Sequence, residues 1–123
     1  MDNTNIRSII VCGGRYYTNK EFLWKQLDYW FPYLDGNILI HGGAKGADTI
    51  AGNWTLTQKG IGSIVYPANW DKHGKSAGWV RNWDMANTKP TPIAVLAFPG
   101  GKGTASMVKI ARDKNIFVVE LGG

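Results

Sequence analysis

The sequence contains few of the residues from which metal sites and disulfide frameworks are built. Its 123 residues include one cysteine, Cys12, and two histidines, His41 and His73. A single cysteine excludes an internal disulfide and a zinc cluster built on cysteines, and the histidines lack companions at metal-ligand spacing. We therefore expect no metal and no cofactor. Cys12 lies inside the first apolar run and is expected to pack as a small core residue.

Long apolar runs and blocks of like charge are also missing. No segment reaches the roughly 20 apolar residues of a membrane helix, and the N-terminal MDNTNIRS lacks the basic start and apolar middle of a signal peptide. A cytoplasmic protein with no membrane partner is expected. The net charge is +5, from 14 basic and nine acidic residues, with no run of like sign longer than two. This scattered excess favours an anionic partner without distinguishing a nucleotide from a nucleic acid.

The length and the apolar pattern predict one α/β domain spanning residues 1–123. Short apolar runs bounded by Gly, Pro, Asn or Asp predict buried strands at residues 6–12, 37–40, 61–66, 93–98 and 116–121. Helical spacing predicts a helix over residues 19–32, opened by the capping box Thr18-Asn-Lys-Glu21, and a second that ends near Lys59-Gly60. Further helices are expected around residues 79–86 and 105–111. This alternation is typical of a parallel sheet covered by helices on both faces.

Gly-Gly pairs follow the first, second and fourth predicted strands. They are Gly13-Gly14, Gly42-Gly43 and Gly100-Gly101. The carboxyl ends of parallel strands meet at one edge of a sheet, so the pairs are expected to converge. A turn usually needs only one residue with positive φ, whereas glycine also lets the backbone approach a ligand, and helix N-termini attract anions. The three pairs together favour a phosphate site, with tight turns as the alternative for any one pair.

Charged and polar residues in the same connections are candidates for completing that site. In addition to the glycine pairs, the candidate ligand-binding residues are Arg15, Lys45, Asp48, Arg81, Asn82, Lys102, Gly103 and Thr104. Arg81 is singled out because a guanidinium can bind a phosphate or a ribose through two parallel hydrogen bonds. Its alternative role is an ion pair with Asp84, three residues further along the same predicted helix. His41 is expected to be a strand-end residue and not a catalyst.

Aromatic residues flank two of these connections. Tyr16 and Tyr17 follow the first glycine pair, and Trp70, Trp79 and Trp83 surround the longest polar loop. Such side chains could stack on a base or pack a subunit interface, and the sequence leaves both roles open. With six tryptophans in a small domain, we expect a homo-oligomer, a dimer or larger.

One segment is close to a dinucleotide-binding fingerprint. Gly101-Lys-Gly103-Thr-Ala-Ser106 nearly matches it, and Glu120 lies at the end of the next predicted strand, where a ribose-binding acid belongs. The match is incomplete and does not by itself identify a ligand. No Walker A loop is present.

Several longer motifs resemble known families. PGGKGT at 99–104, preceded by RNWDMAN at 81–87, resembles the signature of the Lonely Guy nucleoside 5'-monophosphate phosphoribohydrolases. VCGGRYYT at 11–18, HGGAKGAD at 41–48 and PANWDKHGKSAGWVRN at 67–82 are similar to a small prokaryotic and phage-borne branch of the wider SLOG superfamily. The resemblance implies a Rossmann-like three-layer sandwich with a mainly parallel five-stranded sheet in the order 3-2-1-4-5. It also implies oligomerisation and a nucleotide or ADP-ribose-type ligand.

The resemblance assigns roles to individual residues and exposes one departure. Gly100, Gly101, Gly103 and Thr104 match the phosphate-binding loop, and Arg81 matches the arginine that the hydrolases place at the ribose. The hydrolases carry a glutamate three residues after the threonine, where this chain has Met107.

Loss of that glutamate bears directly on activity. Cleavage of an N-glycosidic bond needs a carboxylate to stabilise charge or activate water, and methionine does neither. Asp48, Asp84 or Glu120 could replace it, and in an enzyme Arg81 and Asp84 would be the catalytic pair. The sequence thus leaves open nucleotide binding, nucleotide hydrolysis and, least favoured, single-stranded nucleic-acid binding.

Overall fold

The computed structural model describes residues 5–122 and contains a five-stranded sheet in the order β3-β2-β1-β4-β5. All neighbouring strands are parallel. The strands are β1 (Ser8–Cys12), β2 (Ile38–His41), β3 (Gly62–Val65), β4 (Ala94–Ala97) and β5 (Phe117–Glu120). The helices are α1 (Lys20–Leu34), α2 (Ala47–Thr55), α3 (Trp70–His73), α4 (Ala77–Ala86) and α5 (Lys102–Asp113), with a short 3-10 turn at Gly74–Ser76. The predicted α/β class, Rossmann-like arrangement and strand order are confirmed.

An apolar core lies on each face of the sheet. Side chains alternate along a strand, so β1 sends Ile9 and Val11 into one core and Ile10 and Cys12 into the other. Helices α1 and α2 cover the first face, and α4 and α5 cover the second. The structure therefore has the three layers that were expected, and Cys12 packs as predicted.

Helix α1 begins and ends slightly differently from the prediction. Asn19, and not a Thr18–Glu21 capping box, closes its first turn, since the Asn19 side-chain oxygen accepts a hydrogen bond from Phe22 N at 3.1 Å. The helix continues to Leu34, two residues beyond the predicted end. Asp35 then turns the chain with a left-handed φ of 56° and donates its N–H to Pro32 O.

Two other predictions of local structure are wrong. Helix α2 ends at Thr55 and not near Lys59-Gly60, because the chain tightens into turns in which Leu56 N and Thr57 N bond carbonyls three residues back. Strand β3 is exposed along its whole length and β5 at both ends, although their composition predicted buried strands. Both are edge strands, so one side of each has no neighbouring strand to cover it.

The crossover connections create a crevice at one edge of the sheet. Helix α1 leaves β1 on the first face and leads to β2, whereas α5 leaves β4 on the second face and leads to β5. Because β1 and β4 are neighbours, their following loops separate at a topological switch point, which is where open α/β sheets bind ligands. Among the described residues no helix is long and apolar enough to cross a membrane.

Candidate functional site

The glycine loops converge at this switch point, as the sequence predicted. Gly14 N donates to Pro99 O at 2.8 Å, which ties the loop after β1 to the loop after β4. Gly14 O accepts from Ala47 N at 3.1 Å, which ties the same loop to the start of α2. The three connections therefore form one continuous surface above the carboxyl ends of β1, β2 and β4.

Some of these glycines are required because another part of the same chain lies very close to them. A Cβ at Gly13 would lie 2.6 Å from the Cβ of Ala47, and one at Gly14 would lie 3.1 Å from Pro99 O. A Cβ at Gly42 would lie 2.7 Å from Cζ of Arg81. A side chain at Gly13 or Gly14 would crowd the neighbouring segments, and one at Gly42 would displace the Arg81 guanidinium, so packing accounts for these glycines without a ligand.

Gly101 and Gly103 are different because the space around them is open. An added Cβ at either position would meet no other atom within 4 Å. Gly101 is the N-cap of α5 and provides no side-chain cap, and the first hydrogen bond of this helix runs from Ala105 N to Gly101 O. The amides of Lys102, Gly103 and Thr104 are thus left facing solvent with the partial positive charge of a helix N-terminus.

A network of polar side chains connects the loop after β2 to this helix N-terminus. Asp48 is 6% exposed and accepts hydrogen bonds from Gly42 N at 3.1 Å and Ala44 N at 3.2 Å. Arg81 donates from Nη1 to Gly42 O at 2.9 Å.

Asn82 completes the connection on the α5 side. Its side-chain oxygen accepts from Arg81 Nε at 2.9 Å, and its Nδ2 donates to Gly103 O at 3.1 Å. Both ends of this buried amide therefore bond to protein groups, an arrangement that holds Arg81 and the first turn of α5 in fixed positions.

Burial controls the protonation of the groups beneath this network. Burial raises the pKa of Asp48, while its two backbone hydrogen bonds and the charges of His41 and Arg81 lower that pKa and offset part of the effect. Burial also raises the pKa of the Cys12 thiol, and the nearby Asp48 charge adds to the effect. Cys12 is therefore an uncharged thiol at neutral pH and not an activated nucleophile.

A cleft of about 330 Å³ lies between the start of α5 and the end of β5. Its polar side is formed by Gly100, Gly101 and Thr104 from the loop after β4 and by Glu120 from β5. The side chains of Val108 and Leu121 contribute an apolar wall. Gly101 and Thr104 thus bring the N-terminus of α5 to the border of this cleft.

Several predicted site residues lie outside this cleft. Arg15, Lys45 and Lys102 are exposed, and in residues 5–122 they take part in no ion pair. Asp84 is exposed on α4 and forms no ion pair with Arg81, so the alternative role considered for Arg81 is excluded. Arg81 instead points to the loop after β2.

Met107 is fully buried in the core on the second face of the sheet. The position at which the resembling hydrolases carry glutamate therefore faces apolar side chains in this chain. Among the carboxylates considered as replacements, Glu120 lines the cleft, whereas Asp48 is buried in the loop network and Asp84 is exposed on α4.

The loop aromatics lie outside the cleft. Trp79 and Trp83 stack on each other with ring centroids 5.5 Å apart, and Lys114 Nζ lies 5.3 Å from the ring of Trp83. Tyr16 is exposed, and Tyr17 packs against Phe98 at a centroid distance of 5.7 Å. The stacked pair is a surface feature of α4, and no tryptophan lines the cleft.

Two features of the site were missed by sequence reasoning. Gly46 has a φ of 79°, and an added Cβ would collide with Gly14 O, so it packs the loops as closely as the Gly-Gly pairs do. The sequence signal for it was present in HGGAKGAD, where Gly46 directly precedes helix α2. The apolar wall of the cleft carried no signal, because Val108 and Leu121 come from different elements.

In the described part of the chain no three His, Cys, Asp or Glu residues are grouped to hold a metal ion.

His41 gives the loop network a pH dependence. Its Nδ1 accepts a hydrogen bond from Gly43 N at 3.0 Å, and burial lowers the pKa of His41 below 6.5, with the Asp48 charge partly opposing this. As the pH falls below 6.5, the unfolded chain takes up the proton first, so the free energy of unfolding decreases. The loss is complete below the folded pKa, with a slope of up to about 1.4 kcal/mol per pH unit.

Replacement His41→Asn is expected to remove this dependence, because the Asn oxygen can accept from Gly43 N without titrating. Urea unfolding of both proteins between about pH 8 and about pH 5 would test it. The raised pKa of Asp48 has the opposite effect. As the pH falls toward 3.8, the folded chain takes up the Asp48 proton before the unfolded chain does, so the free energy of unfolding increases. Parallel stability curves for the two proteins would contradict the assignment.

Comparisons with known proteins identify the family of this chain. A family model described as "YAcAr: YspA, cpYpsA-related SLOG family" matches residues 7–73, more than half of the chain. The "Gene 61 protein" of Mycobacterium phage D29 is 33% identical in an alignment 126 positions long, which covers 95% of this chain and 98% of the phage protein. The resemblance to the SLOG superfamily and its phage branch is confirmed. The chain therefore belongs to the YspA, cpYpsA-related SLOG family.

Proposed function

We propose that this protein binds a nucleotide or a nucleotide-derived ligand, of the nucleoside monophosphate or ADP-ribose type, with a phosphate at the first turn of α5. Membership of the SLOG family points to a nucleotide-related function. The observation that carries the proposal is the uncapped N-terminus of α5 beside an open cleft, with Gly101 and Gly103 free of any contact that would require glycine.

The physical argument starts from the orphan amides. Three backbone N–H groups without intrahelical acceptors, at the positive end of a helix of 12 residues, are suited to phosphate oxygens. Lys102, the first residue of that turn, adds an exposed cationic side chain, and Arg81 supports the turn through Asn82, whose Nδ2 donates to Gly103 O. The ligand would replace the missing cap, and the cleft would accommodate the nucleoside portion.

Binding without turnover is favoured over hydrolysis. Met107, at the position of the hydrolase glutamate, is fully buried and has no acid or base function. Hydrolysis is the second candidate function because the Glu120 carboxylate lines the cleft and could act as the acid or base. Chromatography of AMP incubated with the protein distinguishes the two functions, since hydrolysis releases adenine and ribose 5-phosphate, whereas the proposal expects AMP to be recovered intact.

The substitution Gly103→Ala separates a ligand role from a folding role. A helical Cβ leans toward the helix N-terminus, so a methyl group at this position would crowd the free amides. Outside the backbone of its own helix and its two chain neighbours, no protein atom lies within 4 Å of that methyl group, and alanine stabilises a helix by about 0.5–1 kcal/mol relative to glycine. We expect AMP and ADP-ribose to bind at least tenfold more weakly, while the free energy of unfolding stays equal or rises.

The measurements are calorimetric titration and thermal unfolding of the same preparations. Gly62→Ala is the matched control, because Gly62 lies in β3 at the opposite edge and an added Cβ there also meets nothing within 4 Å. For wild type, ligand at 100 times its dissociation constant should add about 2.7 kcal/mol of stability. Absence of binding by both ligands, or unchanged affinity in the Gly103→Ala variant, would refute the proposal.

A further inference from the structure

Glu120 lies directly beside the strand end from which the glycine loop departs. Strands β4 and β5 pair in parallel, with Ala97 opposite Glu120 as the last pair of the ladder. The chain beyond Ala97 runs through Pro99 to Gly100 and Gly101, and these glycines line the same cleft as Glu120. A carboxylate at the end of β5 and the glycine loop that follows β4 therefore line one cleft.

The separation of the glycine loop and Glu120 along the sequence is typical of a ribose-binding acid. In nucleotide-binding βαβ units, an acidic residue about 20 positions after the glycine loop accepts hydrogen bonds from ribose hydroxyls. Glu120 follows Gly100 by 20 positions and ends the strand after the helix that carries the phosphate site. The glycine loop and the acid are thus both placed for a ribose 5'-phosphate, within the unit β4-α5-β5.

The Glu120 carboxylate is also oriented by a neighbour. Arg112 Nη2 donates to Glu120 Oε2 at 2.8 Å, which engages one carboxylate oxygen. No hydrogen bond within residues 5–122 is made by the other oxygen, Oε1, which remains available as an acceptor. Ionised carboxylates only accept hydrogen bonds, so the partner must supply donors, as sugar hydroxyls do.

From this geometry, and resting on the proposed function, we infer that Glu120 binds the ribose hydroxyls of the ligand and makes the site specific for ribonucleotides over 2'-deoxyribonucleotides. Thr104 and the amides at the start of α5 hold the phosphate at one end of the cleft, and Glu120 accepts from the hydroxyls at the other. A deoxyribose leaves the carboxylate without one of its donors. A 2'-phosphate would place negative charge against Glu120 and is disfavoured.

Calorimetric titration with AMP and 2'-deoxy-AMP tests this assignment on the full-length protein. Wild type is expected to bind AMP at least tenfold more tightly than 2'-deoxy-AMP. The Glu120→Ala variant is expected to bind the two equally, with its affinity for 2'-deoxy-AMP within about twofold of wild type. Glu120 is exposed and its ion pair with Arg112 is on the surface, so the substitution should leave stability within about 0.5 kcal/mol.

Arg112→Ala is the matched control because it removes the same ion pair and keeps the carboxylate. This variant should retain the preference for AMP, whereas a purely structural role of the pair predicts that both variants lose it. Equal binding of AMP and 2'-deoxy-AMP by wild type would overturn the ribose assignment and leave the phosphate proposal intact. Failure of wild type to bind either nucleotide would instead overturn the proposed function, so the two failures are distinguishable.

Discussion

Replacement of Trp54 by alanine is expected to lower the free energy of unfolding by about 3–5 kcal/mol, the usual cost of emptying the site of a large buried aromatic side chain. Trp54 is 1% exposed and packs against Phe31 with ring centroids 4.9 Å apart. Its indole N–H donates to Asp28 Oδ1 at 2.9 Å, which joins α2 to α1. The substitution removes one of the contacts between the two helices that cover the first face of the sheet, while the bond from Trp24 Nε1 to Ile50 O remains.

Such a loss is a large part of the roughly 5–15 kcal/mol that stabilises a domain. Urea unfolding followed by circular dichroism measures it, and a wild-type m value would show that the unfolding transition is otherwise unchanged. Leu56→Ala is the matched control, since Leu56 is two residues away and 83% exposed, and it should cost less than about 0.5 kcal/mol. Comparable losses in the two variants would contradict the packing described for α2.

Substitution Arg81→Met is expected to weaken AMP binding by about 1–2 kcal/mol, roughly 5- to 30-fold, because it removes the bond that orients Asn82, whose amide holds Gly103 O at the first turn of α5. Methionine keeps most of the aliphatic stem while losing the bonds to Gly42 O and to the Asn82 oxygen. The pKa of buried Asp48 should rise further, since the Arg81 charge lowers it in the native protein. Carbon-detected NMR titration of the carboxyl groups would report that rise.

Two further variants identify the cause of any loss. Lys25→Met removes one positive charge from the exposed surface of α1 and should leave AMP affinity unchanged at physiological salt, where distant surface charges are screened. Asp48→Asn in the Arg81→Met background should recover stability but not affinity, because it removes the buried charge that Arg81 partly neutralises. Wild-type affinity in the Arg81→Met protein would exclude a role for this arginine in positioning the first turn of α5.

Local sequence patterns predicted most of the fold. The apolar runs gave the positions of the strands, and the residues at helical spacing gave the helices within a few positions. The errors had two causes: neighbours in space decided one, and a choice between adjacent capping residues decided the other. Strand β3 has the composition of a buried strand, yet it lies at an edge and is exposed. The first turn of α1 is closed by Asn19 where a Thr18–Glu21 box was predicted.

The candidate site was predicted in outline, but the roles of its residues were not. The convergence of the glycine loops followed from parallel strands and short connections. The sequence could not distinguish Gly42, which makes room for Arg81, from Gly103, which faces open space. Spacing within α4 suggested Asp84 as the partner of Arg81, whereas the observed partner is Gly42 O, 39 positions away.

The sequence by itself therefore determined the α/β class, the glycine-rich edge and the absence of a glutamate at position 107, because these depend on periodicity, composition and residue identity. Only the tertiary structure decided which glycines are open to a ligand, where Arg81 points and that Glu120 shares a cleft with the start of α5. These features arise from contacts between elements distant in the chain. Such contacts depend on how helices pack on the sheet, which no local pattern specifies.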